Sequence, residues 1–130
     1  MQGAWFRDPW LYALLGLAPT AWLLPDPVQS LAVWRLVLLA LAEEVLFRGM
    51  FQDWLRGRPC LLRRVGPVTK ANIVVSLCFM AVHFIAHPPL WAMAVFFPSL
   101  IFGWIWDRYR RILPCAMVHF AYNFFFFYRL

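Results

Sequence analysis

Five apolar runs, separated by short segments that hold prolines, glycines or basic residues, make up most of this sequence. They cover residues 10–24, 28–51, 71–86, 90–106 and 112–128. A helix that crosses the hydrocarbon of a bilayer needs about 20 apolar residues. The first run is short for a span and reaches that length only with the aromatic residues that precede it. The sequence therefore predicts an all-α polytopic transmembrane helix bundle with about five membrane helices, as a single membrane domain over residues 1–130.

The composition agrees with this fold class. Hydrophobic residues make up 64% of the chain and charged residues only 14%, which leaves too little polar surface to coat a water-soluble globule. The formal charge is +6, but the basic residues are spread over short loops between apolar runs. In a membrane protein such a basic excess reports topology and contact with lipid headgroups. We expect a lipid bilayer and no nucleic acid among the partners.

The positions of the basic residues predict the orientation of the chain. Five alternating spans place Arg7, the loop 52–70 and the basic residues of 107–111 on one side, with only Arg129 opposite. Arg35 and Arg48 lie within a span. By the positive-inside rule the basic side is cytoplasmic, so we expect an integral membrane protein with a cytoplasmic N-terminus.

Two adjacent carboxylates, Glu43 and Glu44, interrupt the second run, with Arg48 following. Ionised groups inside a membrane helix are costly and usually functional. Glu44 and Arg48 stand four residues apart, the spacing at which side chains on one helical face meet. Glu43 lies about 100° around the helix from Glu44. Because Glu44 is expected to pair with Arg48, the Glu43 carboxylate is the one that remains available for catalysis.

Three further polar residues fall at a similar depth: His83 in the third run, and His119 and Asn123 in the fifth. Counted from the cytoplasmic ends of their helices, these residues and Glu43 lie roughly 10 to 18 Å into the membrane. All of them can therefore meet in one cavity. A single membrane histidine is often only an interhelical hydrogen-bonding group. Glu, His and Asn together can also bind a divalent cation, so the residues alone leave a metal site open.

The same residues resemble the motifs of a known family, the glutamic intramembrane proteases of the CAAX-protease and bacteriocin-processing group, or Abi family. Its motifs are Glu-Glu-x-x-x-Arg, Phe-x-x-x-His and His-x-x-x-Asn/Asp on separate membrane helices. The chain has Glu43-Glu44 with Arg48, Phe79 with His83, and His119 with Asn123, in that order. The resemblance covers about residues 28–128. Larger members have about eight membrane helices, whereas this chain offers five.

The resemblance implies roles for these residues. Glu43 acts as general base on a water with help from His83, His119 and Asn123 stabilise the oxyanion, and Glu44 and Arg48 brace the site. It implies no metal and no other cofactor. A carboxylate withdrawn from water is a better base near neutral pH, and hydrogen-bond donors count for more in a dry site.

The expected function is that of an intramembrane endopeptidase that cleaves a membrane-embedded or lipidated peptide or protein. Eukaryotic relatives cut prenylated tails, and bacterial ones are tied to bacteriocin maturation or immunity or to C-terminal sorting signals. A chain this small is more typical of bacterial members, which indicates the bacterial inner membrane. The alternative is a membrane protein without catalysis, such as an immunity factor or a proton-coupled carrier. The sequence leaves the oligomeric state open.

Overall fold

The computed structural model describes residues 4–129 and is mostly helical. Two short 3₁₀ helices, Trp5–Arg7 and Ala18–Leu23, flank the first α-helix, and a π-helical segment, Val45–Gln52, follows the second. The α-helices are α1 (Pro9–Gly16), α2 (Val33–Glu44), α3 (Asp53–Arg56), α4 (Pro59–Leu62), α5 (Lys70–His83), α6 (Pro89–Ala94), α7 (Phe96–Tyr109) and α8 (Ile112–Phe127). Two short strands, β1 (Arg64–Val65) and β2 (Val68–Thr69), pair antiparallel, with Arg64 opposite Thr69 and Val65 opposite Val68.

Local sequence explains where these elements begin. Asp8 caps α1, because its side chain accepts a hydrogen bond from the backbone N–H of Trp10 at 3.0 Å and Pro9 occupies the first helical position. Thr69 caps α5 in the same way, through the backbone N–H of Asn72 at 3.2 Å. Gly66 forms the turn of the hairpin with φ of +62°, a backbone conformation that glycine adopts without strain.

Each of the five apolar runs contains helix. Within residues 4–129, one helical stretch, Pro89–Tyr109, is both long and apolar enough to cross a membrane by itself. The helices Lys70–His83 and Ile112–Phe127 are apolar but shorter. Gly16 and Pro19 divide the first run into an α-helix and a 3₁₀ helix. The fold is thus a helical bundle as predicted, while the number of spans stays a prediction.

The second run differs most from its predicted limits. Residues 28–32 are not helical, so α2 begins at Val33 and Arg35 lies in its first turn. At the other end the helix continues beyond residue 51, through the π-helical segment and α3 to Arg56. The segment 52–70 is therefore not an open loop, because it holds α3, α4 and the hairpin.

The interior is mostly apolar but also holds fully buried polar side chains, and many large apolar side chains are exposed on the outside. The fully buried polar side chains are Glu44, Arg48, Gln52, Asn72, Ser76 and Ser99. Large apolar side chains such as Trp34, Leu38, Leu41 and Leu46 face outward along α2 and the segment that follows. Apolar surface of this extent is favourable against lipid and unfavourable against water.

Ion pairs define two ends of the bundle. At one end, which we call the basic end, Asp8 lies 2.7 Å from Arg108, and Asp53 pairs with Arg110. At the opposite end, Arg129 lies 2.9 Å from Asp26, and the Tyr128 hydroxyl donates to the carbonyl of Leu31 at 2.7 Å. These ion pairs place Asp8, Asp53, Arg108 and Arg110 at one end of the bundle and Arg129 at the other.

Candidate active site

The two carboxylates of the Glu-Glu pair lie in different surroundings. Glu44 is fully buried, whereas the side chain of Glu43 is 30% exposed and lines a cavity of about 370 Å³. The walls of this cavity are mostly apolar and come from residues 17–39, from the segment 79–102 and from α8. Glu43 is thus the carboxylate that a molecule in the cavity can touch.

Arg48 holds Glu44 in place from the π-helical segment. Its Nε donates to Glu44 Oε2 at 3.3 Å, and its terminal nitrogens donate to Gln52 Oε1 at 3.1 Å and to the hydroxyl of Ser99 at 2.6 Å. The pair expected from the four-residue spacing is therefore present, although residues 45–52 have π-helical rather than α-helical hydrogen bonding. Such segments are rare and occur frequently at functional sites.

His119 on α8 lies between the two carboxylates. Its Nδ1 is 2.8 Å from Glu44 Oε1, and its Nε2 is 3.6 Å from Glu43 Oε2. Because Glu44 is paired with Arg48 and accepts hydrogen bonds as a carboxylate, Nδ1 is the nitrogen that carries the proton. The ring of Phe102 stacks on the imidazole, with centroids 4.5 Å apart. Nε2 is thus held toward Glu43 and the cavity.

His83, at the end of α5, lines the same cavity. Its Nδ1 lies 2.7 Å from the backbone carbonyl of Phe79, so Nδ1–H is the donor and Nε2 is left to accept a proton. Phe79 is 2% exposed, and its ring packs 4.4 Å from His83 and 5.9 Å from His119, measured between centroids. Phe79 therefore separates and orients the two imidazoles.

Asn123 lies one helical turn beyond His119 on α8 and also lines the cavity. The structure thus brings Glu43, His83, His119 and Asn123, from three different helical segments, around one space. Glu44 and Arg48 lie behind them, away from the cavity. Within residues 4–129, no hydrogen bond joins Glu43 directly to His83.

The family assignment comes from comparison with family models. The model of type II CAAX prenyl endopeptidases, Rce1-like, matches residues 26–125 of this chain. The chain belongs to this family. The matched range includes every residue of the Glu-Glu, Phe-His and His-Asn motifs. No curated protein and no solved structure gives a significant match.

Members of the Rce1-like family are membrane-embedded CAAX endopeptidases, which are hydrolases. A hydrolase of peptide bonds must activate water, stabilise a negatively charged oxygen and protonate the leaving nitrogen. The cavity offers a carboxylate, two imidazoles and a carboxamide for these tasks. In the described part of the chain, no three His, Cys, Asp or Glu side chains form a group that could hold a metal ion.

Sequence reasoning missed several polar residues of this Rce1-like protein. Gln52 accepts from Arg48 and donates to Asp107 Oδ1 at 3.0 Å, and Asp107 Oδ2 in turn accepts from the Thr69 hydroxyl at 2.7 Å. Gln52 follows Arg48 by four residues, as Arg48 follows Glu44. This spacing could have predicted that Gln52 lies on the same helical face as the pair. Nothing in the sequence indicated that Ser99 and Asp107 would lie beside it, because α7 approaches only through tertiary packing.

Proposed function

We propose that this protein is an intramembrane endopeptidase of the glutamic type. The observation that carries the proposal is the different exposure of the two carboxylates: Glu43 lines the cavity, whereas Glu44 is buried and bonded to Arg48 and His119. A base must touch the water that it activates. Glu43 meets this requirement, and Glu44 does not.

In the proposed reaction, Glu43 takes a proton from a water in the cavity while the water oxygen attacks the carbonyl carbon of the scissile peptide. His83, whose Nε2 is free to accept, assists in orienting this water. The proton then passes to the leaving nitrogen as the carbon–nitrogen bond breaks.

His119 and Asn123 are proposed to stabilise the negative charge on the carbonyl oxygen. When the His119 ring is protonated, its Nε2–H faces Glu43 and the cavity, and Glu44 accepts the other ring proton at 2.8 Å. The Asn123 carboxamide supplies a neutral donor from the next turn of the same helix. Donors fixed in advance in a water-poor cavity stabilise such a charge more than water does.

The proposed setting is a bacterial inner membrane, crossed by five helical segments, with the basic end and the N-terminus in the cytoplasm. The proposed substrate is a membrane-embedded or lipidated peptide or protein. The mostly apolar walls of the cavity suit a substrate that enters from lipid rather than from water.

Cleavage of two co-expressed reporters tests this function. One reporter ends in a farnesylated Cys-aliphatic-aliphatic-X tail on the cytoplasmic side, and the other ends in an apolar C-terminal segment on the opposite side. We expect at least one to be cut, and Glu43→Gln to abolish cutting while the protein still accumulates. If neither reporter is cut, or if Glu43→Gln still cuts, the proposal is wrong.

Chelation separates this mechanism from metal-assisted hydrolysis. We expect cleavage to survive extensive dialysis of the purified protein against chelators, because the proposed reaction uses only the charges of the protein. Stoichiometric metal in the purified protein, lost together with activity on chelation and restored by zinc, would contradict the glutamic mechanism.

A further inference from the structure

His119 has a different neighbour on each side of its ring. Glu44 Oε1 lies 2.8 Å from Nδ1, and Glu43 Oε2 lies 3.6 Å from Nε2. The ring of Phe102, on α7, covers one face of the imidazole, with the two planes 15° apart and the centroids 4.5 Å apart. The ring of Phe79 meets the imidazole at 72°, with centroids 5.9 Å apart, and so is not stacked on it. Phe102 therefore presents the face of its ring to the imidazole.

The ring of Phe102 is fixed by the core of the bundle. Phe102 is 1% exposed, and its carbonyl accepts a hydrogen bond from the thiol of Cys115 on α8 at 3.6 Å. The ring also contacts Tyr122, whose hydroxyl donates to the carbonyl of Leu14 at 2.9 Å. Phe102 is thus anchored to α8, the helix that carries His119, although it lies in none of the three family motifs.

A stacked aromatic ring acts differently on the two protonation states of an imidazole. The face of a phenylalanine ring is the negative part of its quadrupole, so it attracts a cation that lies within about 6 Å of the centroid. The neutral imidazole lacks this attraction and gains only from packing. The separation of 4.5 Å between Phe102 and His119 is within that range, and both side chains are buried, which strengthens the attraction. The stack therefore favours the imidazolium over the imidazole.

In the proposed reaction, Glu43 loses its negative charge when it takes a proton from water. The His119 imidazolium thus loses one of its two anionic neighbours as the oxyanion forms, whereas the ring of Phe102 cannot titrate and attracts the imidazolium throughout. We propose that Phe102 is a positioning residue that acts through His119: its ring face stabilises the imidazolium and holds Nε2–H toward the cavity. The inference rests on the proposed function, since it concerns the proposed oxyanion donor.

Fluorinated phenylalanines at position 102 test the proposal. Each fluorine withdraws electron density from the ring face and changes the size of the ring little, so one, two and three fluorine atoms weaken the attraction for a cation stepwise. We expect kcat on the cleaved reporter to fall along this series, by about three- to thirtyfold for the trifluoro ring. KM should change little, because the oxyanion exists only in the transition state.

Phe120 is the matched control for the fluorinated series. It lies on α8 beside His119 in sequence, but its ring contacts Phe124, with centroids 5.8 Å apart, and it does not line the cavity of Glu43. The same fluorinated residues at position 120 should leave kcat unchanged. A constant kcat along the Phe102 series, or an equal fall along the Phe120 series, would overturn the role of Phe102.

Thermal stability provides a second measurement that needs no substrate. The attraction exists only while His119 is protonated, so it stabilises the fold in acid and is lost as pH rises. Trifluorophenylalanine at position 102 should therefore lower the Tm in detergent at about pH 5 and leave it nearly unchanged at about pH 9. An equal loss of Tm at both pH values would show that Phe102 serves packing alone and would overturn the proposal.

A His119→Gln background isolates the imidazole from the other groups that titrate or carry charge nearby. In that background, trifluorophenylalanine at position 102 should change the Tm by the same amount at both pH values, because no imidazolium can form. The groups that both backgrounds share around the stacked pair are Glu43, Glu44, Arg48, His83, Cys115 and Tyr122. A loss of Tm in acid that persists in His119→Gln would assign it to one of these groups and overturn the proposal.

The two measurements separate failure of this inference from failure of the proposed function. Cleavage that Glu43→Gln abolishes and that fluorination of Phe102 leaves unchanged would keep the protease and remove the role of Phe102. If neither reporter is cut, the proposed function fails, and the Tm comparison still decides whether Phe102 stabilises the His119 imidazolium. The expected result is a stepwise fall in kcat together with a loss of Tm that is confined to acid and requires His119.

Discussion

The polar side chains toward the two ends of this bundle differ in burial and pairing. Toward the basic end, Glu44, Arg48 and Gln52 form a continuous series of bonds, and each of these side chains is fully buried. Toward the other end, Glu43, His83 and Asn123 face a cavity. Paired buried groups specify a packed structure, whereas groups that face a cavity retain capacity for a ligand. The comparison indicates that the buried network stabilises the fold, and that the groups available for the proposed chemistry are those that face the cavity.

The largest effect on stability is expected from removal of the Arg48 cation toward the basic end. Arg48→Met keeps much of the length of the side chain but leaves Glu44 buried without its cationic partner, which costs about 3–5 kcal/mol of unfolding free energy. We expect low yield and a lower Tm in detergent. Arg35→Met is the matched control, because Arg35 is exposed in the first turn of α2. Equal Tm values for the two variants would show that the buried network around Arg48 does not stabilise the fold.

For the residues that line the cavity, we expect a loss of activity rather than of stability. His119→Ala and Asn123→Ala should each cost about 3–4 kcal/mol of transition-state stabilisation, as removal of one oxyanion donor does in other enzymes. The measurement is kcat/KM on the cleaved reporter, with expression and Tm recorded in parallel. Because His119 also contacts Glu44, its loss should lower the Tm, whereas Asn123→Ala should not. A normal rate for Asn123→Ala would assign the oxyanion to other groups.

Disruption of the close contact between α5 and α7 near the basic end should have a smaller effect on stability. A Cβ atom at Gly103 would collide with the side-chain amide of Asn72, which donates to the carbonyl of Leu100 at 2.9 Å. Gly103→Ala should therefore separate α5 from α7 and cost about 1–3 kcal/mol, as overpacking does elsewhere. Gly16→Ala is the control, because a Cβ atom added at Gly16 would meet no other atom within 4 Å. A Tm equal to that of Gly16→Ala would mean that the helices adjust freely.

The smallest effect is expected at the surface of the basic end. Burial raises the pKa of Asp8, but the Trp10 N–H and Arg108 outweigh it, so this pKa lies below its ordinary value of 3.8. Because the folded pKa is depressed, the stabilisation is fully present above the ordinary value and is lost as pH falls through the folded pKa. Asp8→Asn should lower the Tm slightly at pH 7 and make no difference in strong acid. The same difference at both pH values would attribute it to lost packing instead.

Much of this arrangement was predictable, because periodicity and spacing act within single helices. The four-residue steps from Glu44 to Arg48, from Phe79 to His83 and from His119 to Asn123 predicted which side chains share a face. The matched depths predicted that they would converge. The limits of the second helix were wrong by several residues at both ends, because nothing local marks where a π-helical segment begins or shows that residues 28–32 are not helical.

The contacts between helices could not be read from the sequence. That His119 would contact Glu44 more closely than Glu43 depends on how α8 rotates against α2, and this rotation is fixed by packing of residues such as Phe102. The roles of Ser99 and Asp107 depend likewise on the position of α7. Tertiary packing of this kind has no periodic signature in a single chain.

The measurement that tests the central comparison most directly is a parallel assay of Glu43→Gln and Glu44→Gln for turnover of the cleaved reporter and for Tm in the same detergent. Each change removes one negative charge and keeps the volume of the side chain. We predict that Glu43→Gln loses all turnover with an unchanged Tm, and that Glu44→Gln loses stability as well, because it leaves Arg48 buried without its counter-ion. Equal turnover and equal Tm for the two variants would contradict the proposed division between a cavity-facing carboxylate that activates water and a buried carboxylate that stabilises the fold.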